Sequence, residues 1–119
     1  MINCPKCRVL MEVSELHCDH CNLNLQGDFR MPRLARLSRE HMKLAEAFLL
    51  CSGNFKQLSE LMDNSYPTLR RKVDDMIYGL KEIIDEDTKV AEEILVKIEE
   101  GKITSQEGLR LIKEMNNDI

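Results

Sequence analysis

The chain has no tryptophan, and its three phenylalanines and two tyrosines are too few for aromatic packing to build a core. Leu, Ile and Met must fill the interior, which favours helix packed on helix. No apolar run approaches the ~18 residues that a membrane-spanning helix needs. No charged and apolar leader precedes Met1-Ile2-Asn3, so the expected location is the cytoplasm. No internal repeat and no low-complexity segment is visible. No paired nucleophile and base, no phosphate loop and no open metal site stands in the sequence, so an enzyme is not expected. Disorder is excluded as well, because 43% of the residues are hydrophobic.

Cysteine is what the chain does have. Cys4 and Cys7 form one Cys-x-x-Cys pair, and Cys18 and Cys21 form a second. Four thiolates at this spacing can close a tetrahedron around one structural Zn²⁺ and leave no position open for water. Soft thiolates accept iron in the same geometry. A disulfide framework fits poorly, because Cys51 makes the count odd at five. His17 and His20 flank the second pair and read as surface or supporting histidines, since four sulfurs already fill the shell. About 25 residues are too few to fold on a hydrophobic core alone, so a bound metal would account for this module. Val9, Met11 and Val13 alternate with Leu10 and Glu12, which predicts a short β-hairpin between the cysteine pairs. Gln26-Gly27-Asp28 reads as a breaker and sets the first boundary.

The net charge of −4 is unevenly spread. Residues 1–27 carry two basic and three acidic groups, net −1. Residues 28–72 carry nine against five, net +4. Residues 73–119 carry six against thirteen, net −7. The basic middle points to a polyanionic partner, which the total alone would argue against.

That middle reads as three helices. Ser38 is a predicted N-cap, and His41, Leu44, Phe48 and Cys51, widened by Ala45 and Leu49, form one buried stripe. Cys51 therefore reads as a core thiol. Gly53 and Asn54 end this helix and cap the next, about Phe55 to Met62. Asp63 and Asn64 make a turn, Ser65 caps the third helix, and Pro67 lies in its first turn. Leu69, Val73, Met76, Ile77, Leu80 and Ile84 are its predicted buried stripe, and Gly79 is expected to mark an end or a bend. A short turn into a helix that starts with Ser and carries Arg70-Arg71-Lys72 is the layout of a helix-turn-helix. Its second helix offers the Asn54, Lys56 and Gln57 end to phosphate. Tyr66, Thr68 and Arg71 are placed to meet base edges of double-stranded DNA, and Arg70 and Lys72 to reach phosphates; Ser65 and Lys56 complete the candidate DNA-binding residues.

Beyond the acidic run Asp85-Glu-Asp87 a new helix is expected, carrying Val90, Ile94, Leu95 and Ile98 and ending at Gly101. Thr104-Ser-Gln-Glu107 is a capping box for a last helix with Leu109, Ile112 and Met115. Two such short helices need a partner, either the middle module or a second copy of the chain. The expected fold is mostly α: a ribbon over 1–27, a helix-turn-helix domain over 28–85 and a helical hairpin over 86–119.

Several runs carry a family resemblance. They are Cys4-Pro-Lys-Cys7, Cys18-Asp-His-Cys21, Met31-Pro-Arg-Leu-Ala-Arg-Leu-Ser38, Cys51-Ser-Gly-Asn54 and Ser65-Tyr-Pro-Thr-Leu-Arg70. From Cys4 to about Leu80 the chain resembles the bacterial family catalogued as domain of unknown function 2089. In that family a zinc ribbon precedes a helix-turn-helix similar to region four of sigma factors. The tail around Glu100-Gly-Lys-Ile-Thr104 resembles the SHOCT-like helical hairpin. The first resemblance implies a DNA-binding transcription regulator. The second implies a homodimer or higher homo-oligomer. Arg8 stands where the family pattern has Gly, Asp63 and Asn64 where it has Gly and an aliphatic residue, and Gly108 where the tail pattern has Ala. The alternative function is an adaptor that docks RNA polymerase or another protein through the ribbon and the acidic tail. In either case the tail is a candidate to fold over the basic face and inhibit it.

Overall fold

The computed structural model describes residues 3–115 of the 119-residue chain. The order is a two-stranded hairpin, β1 (Val13–His17) and β2 (Asn24–Phe29), then a 3-10 turn over Arg33–Arg36 and four helices. These are α1 (Arg39–Leu50), α2 (Phe55–Met62), α3 (Tyr66–Glu99) and α4 (Ser105–Met115). The fold is mostly helical, as the scarcity of aromatics and the apolar periodicity imply. The chain divides into two compact units. One is Arg33–Glu86. The other joins the chain up to Pro32 with the chain from Asp87 onward.

In Arg33–Glu86 the caps set the helix ends. The Ser38 hydroxyl accepts the His41 N–H, and the Asn54 side chain accepts those of Lys56 and Gln57. Each satisfies donors that a helix start leaves orphaned. Ser52 and Gly53 are both left-handed at the end of α1, and the Gly53 N–H reaches back to the Phe48 carbonyl. Asp63 ends α2 at φ 52°, and its carboxylate side chain tolerates that conformation where a β-branched one would not. Leu44, Cys51, Leu58, Leu69 and Val73 form the core, with Phe48, Phe55, Met62 and Met76 packed around it. Leu58 and Leu69 are wholly sealed from water. Cys51 is buried as a small hydrophobe. Leu49 is not part of this stripe. It is 71% exposed, beside Leu50 at 76%, because the apolar arc of α1 turns toward Ala47 and Phe48 instead. Ile77, expected in the stripe of α3, is 40% exposed.

Gly79 neither ends nor bends α3. A Cβ there would stand 3.3 Å from His41 Nδ1, so the glycine makes room for that ring against the helix. The expected break at Asp85-Glu-Asp87 is absent too, and α3 is continuous to Glu99. Its first part, through Glu86, belongs to the three-helix unit, and the remainder to the other. Arg36 has only 6% of its side chain exposed and pairs with Glu86 at 3.6 Å. Acidic residues in this run thus serve as partners.

In the other unit the hairpin lies elsewhere than between the cysteine pairs. β1 follows the first pair and β2 follows the second, so Cys18–Cys21 sits in the hairpin's own loop. The register pairs Leu16 with Leu25 and His17 with Asn24. Gln26-Gly27-Asp28 does not break the chain; it lies inside β2. Between Val13↔Phe29 and Glu15↔Gln26 the second strand uses one more residue than the first, a bulge that absorbs Gly27 and Asp28. Asp87 is buried at 2% exposure, and the Arg30 guanidinium stands 4.0 Å from it. Further along, Gly101 turns left-handed, and the Lys102 N–H bonds the Lys97 carbonyl, closing α3 with a Schellman motif. Thr104 then caps α4 through the Glu107 N–H. Gly108, not Leu109, faces α3. A Cβ on it would come 2.3 Å from Ile98 Cδ1, so the two helices pack at glycine distance and Leu109 points outward.

Candidate nucleic-acid interface and thiol knuckles

The two cysteine pairs have the same backbone geometry. The Cys4 N–H donates to the Val9 carbonyl, and the Arg8 N–H returns to the Cys4 carbonyl, each at 2.8 Å. The Cys18 N–H donates to Leu23 and the Asn22 N–H returns to Cys18, again each at 2.8 Å. The residue after each pair, Arg8 at φ 66° and Asn22 at φ 59°, is left-handed. This is why glycine suits position 8. The backbone N–H of Cys7, then that of Lys6, and the Cys7 thiol hydrogen-bond the Cys4 sulfur and hold its pKa below the usual thiol value. The N–H of Cys21, then that of His20, and the Cys21 thiol do the same for Cys18. Hydrogen bonds to the thiolate favour it over the thiol.

The knuckles therefore suit a soft metal held by thiolates. The surrounding packing points the same way. From Asn3 to Arg30 no side chain is buried, and only Cys4, Val13 and Phe29 are half-buried. A ribbon without a core needs a cross-link. Among the described residues, however, no group of three or more Cys, His, Asp or Glu side chains is gathered closely enough to hold a metal ion. Each knuckle is formed, and the two pairs are not drawn together. His17 faces Asn24, its Nδ1 in hydrogen-bond contact with Asn24 Oδ1 and its Nε2 3.5 Å from Asp19, so its ring is engaged away from the sulfurs.

The second candidate site is the start of α3. The α2–α3 turn is held by Asn64. Its N–H bonds the Ser59 carbonyl, its Nδ2 donates to the Met62 carbonyl at 3.1 Å, and its own carbonyl accepts the Ser59 hydroxyl. Ser65 Oγ and Thr68 Oγ1 are hydrogen-bonded at 2.9 Å across the first turn of α3. Thr68 is half-buried there. Tyr66 is 56% exposed and meets Phe55 edge-on, with ring centroids 5.6 Å apart. Phe55 meets Phe48 in turn at 6.0 Å. The Arg70 guanidinium lies over the Phe55 ring, 5.5 Å from its centroid, and pairs with Asp74 at 3.3 Å. Arg71 is exposed, with no ion pair or hydrogen bond among the described residues. Lys56 is exposed at the start of α2, beside Phe55 and Tyr66 on an open hollow. Lys72 is half-buried on a small cleft of about 130 Å³ lined by Glu40, His41 and Asp75.

The named residues thus fall into two groups. Lys56, Tyr66 and Arg71 are open to solvent and free to meet a ligand. Ser65, Thr68, Arg70 and Lys72 are engaged or enclosed by the protein. The N–H groups of Lys56 and Gln57, expected to face phosphate, are taken by Asn54. Sequence reasoning missed the part played by Phe55 and Asp74. The Asp74 signal was visible, since positions i and i+4 face each other on a helix. That of Phe55 was not, because it crosses from one helix to another.

No helix among the described residues is long and apolar enough to cross a membrane. Compared with known proteins, residues 37–82 match the family described as Domain of unknown function (DUF2089)-HTH. Residues 4–35 match the description DUF2089 zinc ribbon. Both matches end before the tail. No curated protein and no solved structure matches the chain.

Proposed function

Because the chain belongs to the family described as domain of unknown function 2089, by its ribbon and by its helix-turn-helix alike, we propose that it is a DNA-binding transcription regulator. The single observation that supports this best is the cationic and aromatic start of α3, where Tyr66 and Arg71 are both exposed and Arg71 has no ion pair or side-chain hydrogen bond among the described residues. A helix-turn-helix places the N-terminal end of its second helix in the major groove. Here that helix is α3. Arg71 would meet a base edge and Lys56 a phosphate, while Asp74 and Asp75 limit the approach to the first two turns.

In this reading Cys4, Cys7, Cys18 and Cys21 hold one structural zinc. The metal would supply the cross-link that draws the two knuckles together, and it has no catalytic part. The chain is no enzyme and acts in the cytoplasm, where it binds as a homodimer or higher oligomer, since one short helix reads few bases by itself. The tail would supply the association.

The test is to select preferred duplexes from a random pool and then compare Arg71→Ala with the parent. The substitution should cost about 1–3 kcal/mol on the preferred duplex and less on random DNA. Equal loss on both would reduce Arg71 to a phosphate contact. A second reading, an adaptor docking RNA polymerase or another protein, draws support from the exposed Val9, Leu16, Leu23 and Leu25 of the ribbon. In that case the pool would yield no preferred duplex at all.

A further inference from the structure

Arg70 and Arg71 are neighbours in sequence and opposites in circumstance. Arg71 has its charge in water. The Arg70 charge is spent twice within the protein. Its guanidinium rests on the face of Phe55, 5.5 Å from the ring centroid, and its Nη2 stands 3.3 Å from an Asp74 oxygen. The two partners come from different directions, one from α2 and one from the next turn of α3. A guanidinium is planar, so it can stack on a ring and still offer its edge to a carboxylate. Both contacts are about half in water, so each is modest and a phosphate could compete for Arg70 if Asp74 were absent.

We propose that Asp74 is a positioning residue that withholds Arg70 from DNA phosphate, so that α3 meets DNA through Tyr66 and Arg71 with one cation fewer than the sequence offers. This inference rests on the DNA-binding reading above and deepens it. Its consequence is lower affinity for DNA of any sequence, because a phosphate contact carries no sequence information. In a genome with a vast excess of non-specific sites, one less such contact leaves more protein free to find its own site. The Phe55 ring also gains from the arrangement. Arg70 covers one side of it and Tyr66 meets its edge, so Tyr66 is held where it can face a ligand.

The experiment compares four full-length proteins on a fluorescent duplex of random sequence over a range of salt: the parent, Asp74→Asn, Arg70→Gln and the double variant. Each neutralised phosphate adds about −0.9 to the slope of log affinity against log salt. Arg70→Gln should leave the parent slope unchanged, since that cation makes no phosphate contact. Asp74→Asn should steepen the slope by up to about 0.9 and raise affinity about two- to threefold at low salt, the most that release of an exposed i,i+4 pair allows. The double variant should return to the parent slope, which a general loss of negative charge near the DNA would not produce. Circular dichroism confirms that all four are folded, and the conservative Asn and Gln make that the expected result at these half-exposed positions. A shallower slope for Arg70→Gln would show that Arg70 already contacts phosphate and would overturn the inference. So would one slope shared by all four proteins. Absence of binding by every protein would overturn the DNA-binding reading and this inference with it.

Discussion

Between Asn3 and Arg30 no side chain is buried, whereas in Arg33–Glu86 five side chains close around a dry centre, two of them fully sealed. The ribbon holds its shape chiefly by backbone bonds, four within the knuckles and a short irregular ladder between two strands, with the His17–Asn24 side-chain contact beside them. An isolated two-stranded hairpin is marginal in water. The helical unit keeps its shape by apolar burial, at about 25 cal/mol per Å² removed from water. The contrast teaches where each region is vulnerable. The ribbon answers to its sulfurs and to backbone conformation. The helices answer to packing volume.

The largest effect should come from metal. Treating the purified chain with a strong chelator should unfold the ribbon and leave the helices standing. Limited proteolysis should then cut between residues 4 and 30 while helical circular dichroism persists. A ribbon that resists protease without metal would remove the contrast. Next is Leu58→Ala, which empties a sealed site and should cost the helical unit about 2–5 kcal/mol in urea unfolding. Leu16→Ala, on the open face of the ribbon, should stay within about 0.5 kcal/mol.

The hairpin of the α3 end and α4 lies between these extremes. It packs by closeness, with Gly108 against Ile98. Gly108→Ala should cost about 1–3 kcal/mol through overpacking. Adding Ile98→Val removes the nearest methyl and should recover part of that loss. Smallest is Arg8→Gly, which relieves a left-handed side-chain residue and should stabilise the metal-bound ribbon by about 1 kcal/mol. A loss of stability there would mean that the Arg8 side chain does more for the ribbon than its backbone costs.

What could be read in the sequence follows the same division. The caps at Ser38, Asn54 and Thr104, the turn at Asp63 and the burial of Cys51 all depend on a few neighbouring residues, and each is where the pattern puts it. The two cysteine knuckles are local as well. The hairpin's true partner strand lies beyond Cys21, so alternation before Cys18 pointed to the wrong pairing. Gly79 looked like a breaker because the His41 ring it accommodates comes from another helix. The acidic run looked like a linker because the cation that Asp87 meets, Arg30, is far away in the chain. At the start of α3 the sequence marks every cation, and only the fold separates the free Arg71 from the engaged Arg70.

Fluorescence anisotropy of the metal-loaded full-length chain on duplex DNA, followed as salt is raised, asks most directly whether this cationic helix start is a DNA-reading surface. The account predicts that log affinity falls linearly with log salt, with a slope of several units that becomes shallower when Arg71 and Lys56 are removed. Binding that ignores salt, or a slope untouched by those two substitutions, would contradict it.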